Sequence, residues 1–236
     1  MNTIDPTRSL GELVDDFPRL AREFERRGLD YCCGGGRSLA QVCAVAGLDP
    51  SVTAAELATV AGERAPAEWS GLGAAELWEH LEVTHHRYLW DELPRLSALV
   101  AKIESVHGDR HPELAEVAAT YEELRADLEP HMLKEEHVLF PIVQELSRAA
   151  TLRKLQHGAL RNPISAMVQD HDRVGELLAG LHRLTDGYQP PTDGCATYSA
   201  CYSALAEMAA DTHLHIHKEN NVLFPMILCM ETELSR

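Results

Sequence analysis

Two eleven-residue phrases in this chain carry the same chemistry. Residues 131–141 read HMLKEEHVLFP and residues 215–225 read HIHKENNVLFP, with seven of the eleven positions identical. Each phrase sets a histidine and a glutamate four apart, His131 with Glu135 and His215 with Glu219. In a helix a step of four places both side chains on one face, a turn apart. A Val-Leu-Phe run follows at once, so each pair lies at the edge of a buried stripe or inside it. One such pair alone reads as a surface ion pair. Two copies, 84 residues apart, read as a duplicated site.

The repeat extends upstream. His86 precedes His131 by 45 residues and His171 precedes His215 by 44. The chain therefore contains two helical hairpins, each carrying His, then His-x-x-x-Glu. Packed about a pseudo-twofold axis, they bring four histidines and two glutamates together. Burying those groups uncompensated costs more than a marginal fold can absorb, and metal ions supply the compensation. Each of two ions takes two imidazoles and one oxygen from each bridging glutamate. A bridging oxo or hydroxo group adds a fifth donor and leaves a sixth position open. Imidazole and bridging carboxylate suit a non-haem di-iron centre that binds a small gas or redox ligand. The ferritin-like pattern differs. Glu82-x-x-His85 and Glu104-x-x-His107 have its spacing, but both lie on one helix and neither matches the repeat.

The first-helix ligand is a choice between neighbours. His85 gains from the likeness of HHR at 85–87 to HDR at 171–173. His86 gains from the matched separations and from sharing a face with Val83, Leu89, Trp90 and Leu93. The two differ by about 100° around a helix, so only one is expected to face the seam, and His86 is preferred. The other histidines carry no ligand pattern. His107 and His111 flank a loop, and His137, His213 and His217 lie off the ligand face. His80, His157 and His182 fit no spacing.

The elements that must position these residues are helices. Ala, Leu and Glu abound and aromatics make up only 6% of the chain. Residues 1–62 read as a small helical domain. A helical period runs from Leu10 to Phe24, and further helices are expected at about 38–46 and 53–61, the last capped by Ser51 or Thr53. GERAPAEWSGLG has the composition of a linker, placed at 63–73. From 74 to 236 four long helices are expected, at about 74–106, 112–148, 163–185 and 195–232, with Pro94 kinking the first. A loop or short extra helix fills 147–163. The fold class is all-α: an up-down four-helix bundle preceded by a small helical domain.

Composition excludes other classes. A net charge of −16 lacks the basic footprint that nucleic acid requires. No apolar run approaches the ~20 residues that span a bilayer. The first residues hold acids and no apolar signal core, so a cytoplasmic protein is expected. The six cysteines form no C-x-x-C pair.

DYCCGGG at 30–36, PHMLKEEHVLFP at 130–141, DHD at 170–172 and HIHKENNVLFP at 215–225 together resemble the repair-of-iron-centres family. The resemblance covers nearly the whole chain. It implies a hemerythrin-like bundle holding two non-haem irons, with His86, His131, Glu135, His171, His215 and Glu219 as ligands. In the family the first histidine lies seven residues before a Leu-Pro pair, which here is Leu93-Pro94. The implied function is repair of iron–sulfur clusters damaged by nitrosative or oxidative stress, with damaged iron–sulfur proteins as partners. Supply of labile iron is the leading reading. A nitric oxide-binding and -reducing di-iron enzyme is the alternative, and a hemerythrin-like oxygen or redox sensor a third. Oxygen-carrying hemerythrins use a fifth histidine, which the repeat does not offer.

Cys32 and Cys33 form a separate candidate. They precede Gly34-Gly35-Gly36, which lets backbone pass close to another group, and Arg37, which opens a helix. A helix N-terminus and a nearby arginine lower a thiol pKa, so at least one reactive thiolate is expected. The resemblance places this motif in the N-terminal domain, apart from the bundle.

Overall fold

A computed structural model describes residues 3–62, 67–148 and 160–234. Four short helices come first: α1 (Leu10–Asp16), α2 (Leu20–Arg26), α3 (Leu39–Ala46) and α4 (Pro50–Val60). The period from Leu10 to Phe24 is broken at Phe17, whose φ of −140° and ψ of 76° leave the helical region. Pro18 follows, and a residue before proline is biased out of the α conformation. Ser9 and Ser38 close capping boxes on Glu12 and Gln41, each stabilising its helix by about 1 kcal/mol. α4 starts three residues before the expected Thr53. Asp49 accepts from the N–H groups of Ser51 and Val52, and Pro50 takes the first helical position, where a missing N–H costs nothing.

Four long helices follow: α5 (74–107), α6 (114–148), α7 (Arg161–Leu184) and α8 (196–234). Each α5–α6 and α7–α8 pair is a hairpin. α5 packs on α6 and α8, and α7 packs on α6 and α8, which closes an up-down bundle. No strand occurs among the described residues beyond one isolated bridge between Ser9 and Ser38. Residues 63–66 of the expected linker and 149–159 of the expected loop, with His157, lie outside the described residues.

Three of the four helices contain one π-helical turn, at Glu82–His86 in α5, Glu135–Leu139 in α6 and Glu219–Leu223 in α8. The N–H of Arg87, Phe140 and Phe224 donates five residues back, to the carbonyls of Glu82, Glu135 and Glu219. Pro141 and Pro225 come two residues after the ends of two of these turns. A proline has no N–H to give, so the ladder can admit an extra residue there without losing a bond. Pro94 sits inside a continuous α-helical span, Arg87–His107, and the irregularity of α5 lies upstream of it.

Two apolar cores flank the centre of the bundle. One joins Leu77, Leu139, Phe140, Leu223 and Phe224 to Leu10, Leu13, Phe24 and Leu57 of the N-terminal helices. The other runs along the far half through Leu93, Val117, Leu124, Leu177 and Leu205. The N-terminal helices are thus packed on one end of the bundle and share its core. Ala67 and Trp69, from the expected linker, are buried in that same core.

Candidate metal centre

The six repeat residues meet between the two cores. His86, His131, Glu135, His171, His215 and Glu219 are each at most 1% exposed. Their donor atoms form two sets, His86, Glu135, His215, Glu219 and His131, Glu135, His171, Glu219, each within 4.8 Å of one another. Both glutamates belong to both sets. His86 Nε2 lies 3.3 Å from Glu135 Oε2, and His131 Nε2 lies 3.3 Å from Glu135 Oε1. His171 Nε2 lies 3.1 Å from Glu219 Oε2, and His215 Nε2 lies 3.0 Å from Glu219 Oε1. The imidazoles converge in pairs, His86 on His215 at 3.2 Å and His131 on His171 at 2.9 Å.

The donor chemistry fits cations. Both oxygens of Glu135 and Oε2 of Glu219 are buried with no hydrogen-bond partner among the described residues. Leaving such groups unpaired in low dielectric is costly, and bound cations would satisfy them. The electrostatics of the polypeptide alone point the same way. Burial pulls His131 down, but Glu135 and Asp170 outweigh it and hold the imidazole at about 10. Burial pushes Glu219 up, but His215 and His171 outweigh it and hold the carboxyl well below its ordinary range. The two carboxylates demand positive charge in the gap between them.

The π-helical turns build this arrangement. The extra residue in each turn re-aims the side chains that follow it. In α5 it lets both neighbours turn inward. His86 enters the centre, and His85 is also buried, with its ring stacked on His215 at 5.3 Å and 6°. The expectation that only one of the pair could face the interior fails for this reason, and Val83, expected on the buried face, is 53% exposed.

Outer partners orient three of the imidazoles. His86 Nδ1 lies 2.9 Å from Glu136 Oε1, which also accepts from Trp90 Nε1. His171 Nδ1 lies 2.8 Å from Asn220 Oδ1, and His131 Nδ1 lies 3.3 Å from Asp170 Oδ2. His85 lies beside the centre in a buried polar group of its own. Its Nδ1 is 2.8 Å from Asp211 Oδ1, and its Nε2 accepts from Lys218 Nζ at 2.8 Å. Lys218 also donates to His80 Nε2 and lies over the Trp69 ring. Burial lowers Lys218 to about 8 and raises Asp211 to about 7.

The YCCGGG loop packs on the bundle rather than apart from it. Cys33 Sγ lies 3.6 Å from the carbonyl oxygen of His171, and Asn221 donates to the carbonyl of Cys32 at 2.9 Å. A side chain at Gly35 would strike Tyr31 and Asn221, which is the close approach expected of the glycines. The expected lowering of a thiol pKa is reversed at Cys32. Its neighbour Cys33, burial and Asp30 all push it well up. Asp30 also takes the N–H groups of Cys32, Cys33 and Gly34, and its carboxylate lies 3.3 Å from the Cys32 thiol.

Sequence reading missed a second thiol. Cys195 is exposed at the start of α8, and its Sγ lies 3.2 Å from His107 Nε2. Arg110 donates to His107 Nδ1 at 3.1 Å, so Nε2 carries the proton and donates to sulfur. That bond, with the N–H of Tyr198, lowers Cys195 to about 7. Nothing in the spacing of two residues 88 apart could have found it.

Comparison with known proteins covers most of the chain. The Hemerythrin HHE cation binding domain matches residues 79–227, and a Domain of Unknown function (DUF542) matches 6–61. The iron-sulfur cluster repair protein YtfE of Escherichia coli O1:K1 / APEC is 36% identical over 223 residues, 94% of this chain and 97% of its own. The proteins of that name from E. coli strain SMS-3-5 / SECEC and Escherichia fergusonii match to the same extent, 36% over 223 residues, with 94% and 97% coverage.

Proposed function

Because the chain belongs to the repair-of-iron-centres family of hemerythrin-type proteins, we propose that it repairs damaged iron–sulfur clusters by supplying labile iron from the buried centre. The observation that carries this is the pair of donor sets sharing both glutamates. His86, His131, Glu135, His171, His215 and Glu219 would hold two non-haem irons. Iron there supplies exchangeable, redox-active coordination. The polypeptide does the rest. Glu135 and Glu219 span the two positions. Glu136, Asp170 and Asn220 fix three of the imidazoles, and an acceptor behind an imidazole raises its basicity. The flanking apolar cores keep bulk water from the carboxylates.

Repair acts on damaged iron–sulfur proteins, so the acceptor is a protein that has lost iron. The test pairs iron quantification with a restoration assay. Stoichiometric transfer of iron into an iron-depleted cluster protein supports supply. Nitrous oxide released catalytically from nitric oxide and a reductant, with no transfer, replaces it with the reducing enzyme.

A further inference from the structure

The two donor sets are chemically alike but not equally supported. Resting on the reading that this centre holds and gives up iron, we infer that the ion held by His86 and His215 leaves before the ion held by His131 and His171. The difference lies behind the imidazoles. His131 and His171 both meet an acceptor at Nδ1, Asp170 and Asn220. His86 meets Glu136. His215 Nδ1 has no hydrogen-bond partner among the described residues. An imidazole whose far N–H is unpaired is a poorer donor and is less well aimed, because no acceptor adds charge through the ring or fixes its rotation.

His215 is held another way. Its ring stacks on His85, with planes 6° apart and centroids 5.3 Å apart. A stack sets the plane of a ring but gives its N–H nothing to donate to. His85 is itself clamped between Asp211 and Lys218, at 2.8 Å from each. A buried amine therefore lies one ring beyond His215. The carboxyl on that side, Asp211, orients His85 and no ligand.

The repeat supplies an internal control. Lys218 occupies the position of Lys134 in the first copy. Lys134 has a side chain 54% exposed and pairs with Asp170 at 2.8 Å, so its charge is neutralised in solvent. Lys218 is 3% exposed. The same residue type is thus buried behind one metal position and solvated beside the other. That side also leads outward, since Lys218 bridges His85 to the partly exposed His80.

Iron-loaded full-length protein is mixed anaerobically with excess ferrous chelator, and the coloured chelate is followed with time. Two phases of equal amplitude are expected, separated by about tenfold or more, the range over which an acceptor behind a ligand tunes metal affinity. Asp170→Ala removes the acceptor behind His131 and should draw the slow phase toward the fast one. Lys218→Met should slow the fast phase, and Lys134→Met should leave it unchanged. Location is read from crystals given one equivalent of chelator, by anomalous diffraction at the iron edge. Residual iron at His131 and His171 supports the inference. Residual iron at His86 and His215, or equal loss from both positions, overturns it. The order of loss is measured without any cluster, so a protein that empties in this order but restores no cluster fails only as a donor.

Discussion

At the scale of single residues, the proposed centre turns on two carboxylates that belong to both donor sets. Glu135→Leu and Glu219→Leu should each lower iron from about two per chain to below one, since each removes a donor from both ions at once. Metal analysis of the purified variants checks this. His86→Ala should lose iron, whereas His85→Ala should keep it but loosen the support of His215. Equal iron loss in both would mean that His85 is a ligand. A separate expectation concerns Cys195, whose thiol is held at about 7 by His107 and a backbone N–H. A depressed thiol pKa means more thiolate at neutral pH, so alkylation of Cys195 should rise with pH through a midpoint near 7. His107→Ala should return that midpoint toward about 8.5, the ordinary value for a thiol. Cys32, pushed the other way, should stay unreactive over that range. The six residues of the centre were legible in the sequence because duplication turns a weak spacing into a strong one. The His107–Cys195 pair and the Lys218 cluster were not, because each is made by contacts between helices and follows no local period.

At the scale of elements, the two copies of the repeat do different work where they differ. Leu133 and His137 of the first copy are exposed. Their counterparts, His217 and Asn221, hold the N-terminal helices. His217 Nε2 lies 3.1 Å from Asp15 Oδ1, and Asn221 donates to the carbonyl of Cys32. Changing His217→Leu together with Asn221→His rewrites the second copy as the first. It takes one donor from the half-exposed Asp15 carboxylate, which keeps Trp69, and leaves the Cys32 carbonyl without its donor, at about 1–3 kcal/mol for the carbonyl. Proteolysis within residues 3–62 should then quicken markedly while iron content stays the same. Unchanged proteolysis would show that apolar packing alone holds the unit. Helix positions were readable to within a few residues because apolar periodicity reports burial. The π-helical turns were not readable that way, because one extra residue shifts the phase of everything after it by about 100°. The recurring Leu-Phe-Pro was the trace of two of them, and the turn in α5 left none. The break at Pro18 shows the same limit, since an apolar period can run unbroken across two separate helices.

At the scale of the whole molecule, the N-terminal helices and the bundle share one apolar core. The composition of 63–73 suggested a spacer, yet Ala67 donates to the carbonyl of Asp15 at 3.1 Å and Trp69 is 5% exposed in the shared core. Glycine, proline and charge describe a segment's own stiffness, and long-range packing decided where it lies. Removing iron should therefore lower the melting midpoint of the entire molecule in one transition, since binding to the native state alone stabilises whatever unfolds with it. For a chain of this size each kcal/mol of linkage moves the midpoint by roughly 2–4 °C. Hydrogen exchange should quicken in α1–α4 as well as in α5–α8. Protection lost from the bundle alone would separate the two. The departures of HIHKENN from HMLKEEH have one further consequence. Two identical hairpins would form a centre with a true twofold axis, and every feature on one side would be forced to recur on the other. Such a dimer could not cap one end of its axis with one thiol loop, nor make its two metal positions unequal. Joining the hairpins in one chain releases each half from its mirror obligation, and a few side chains then suffice to give the centre a front and a back.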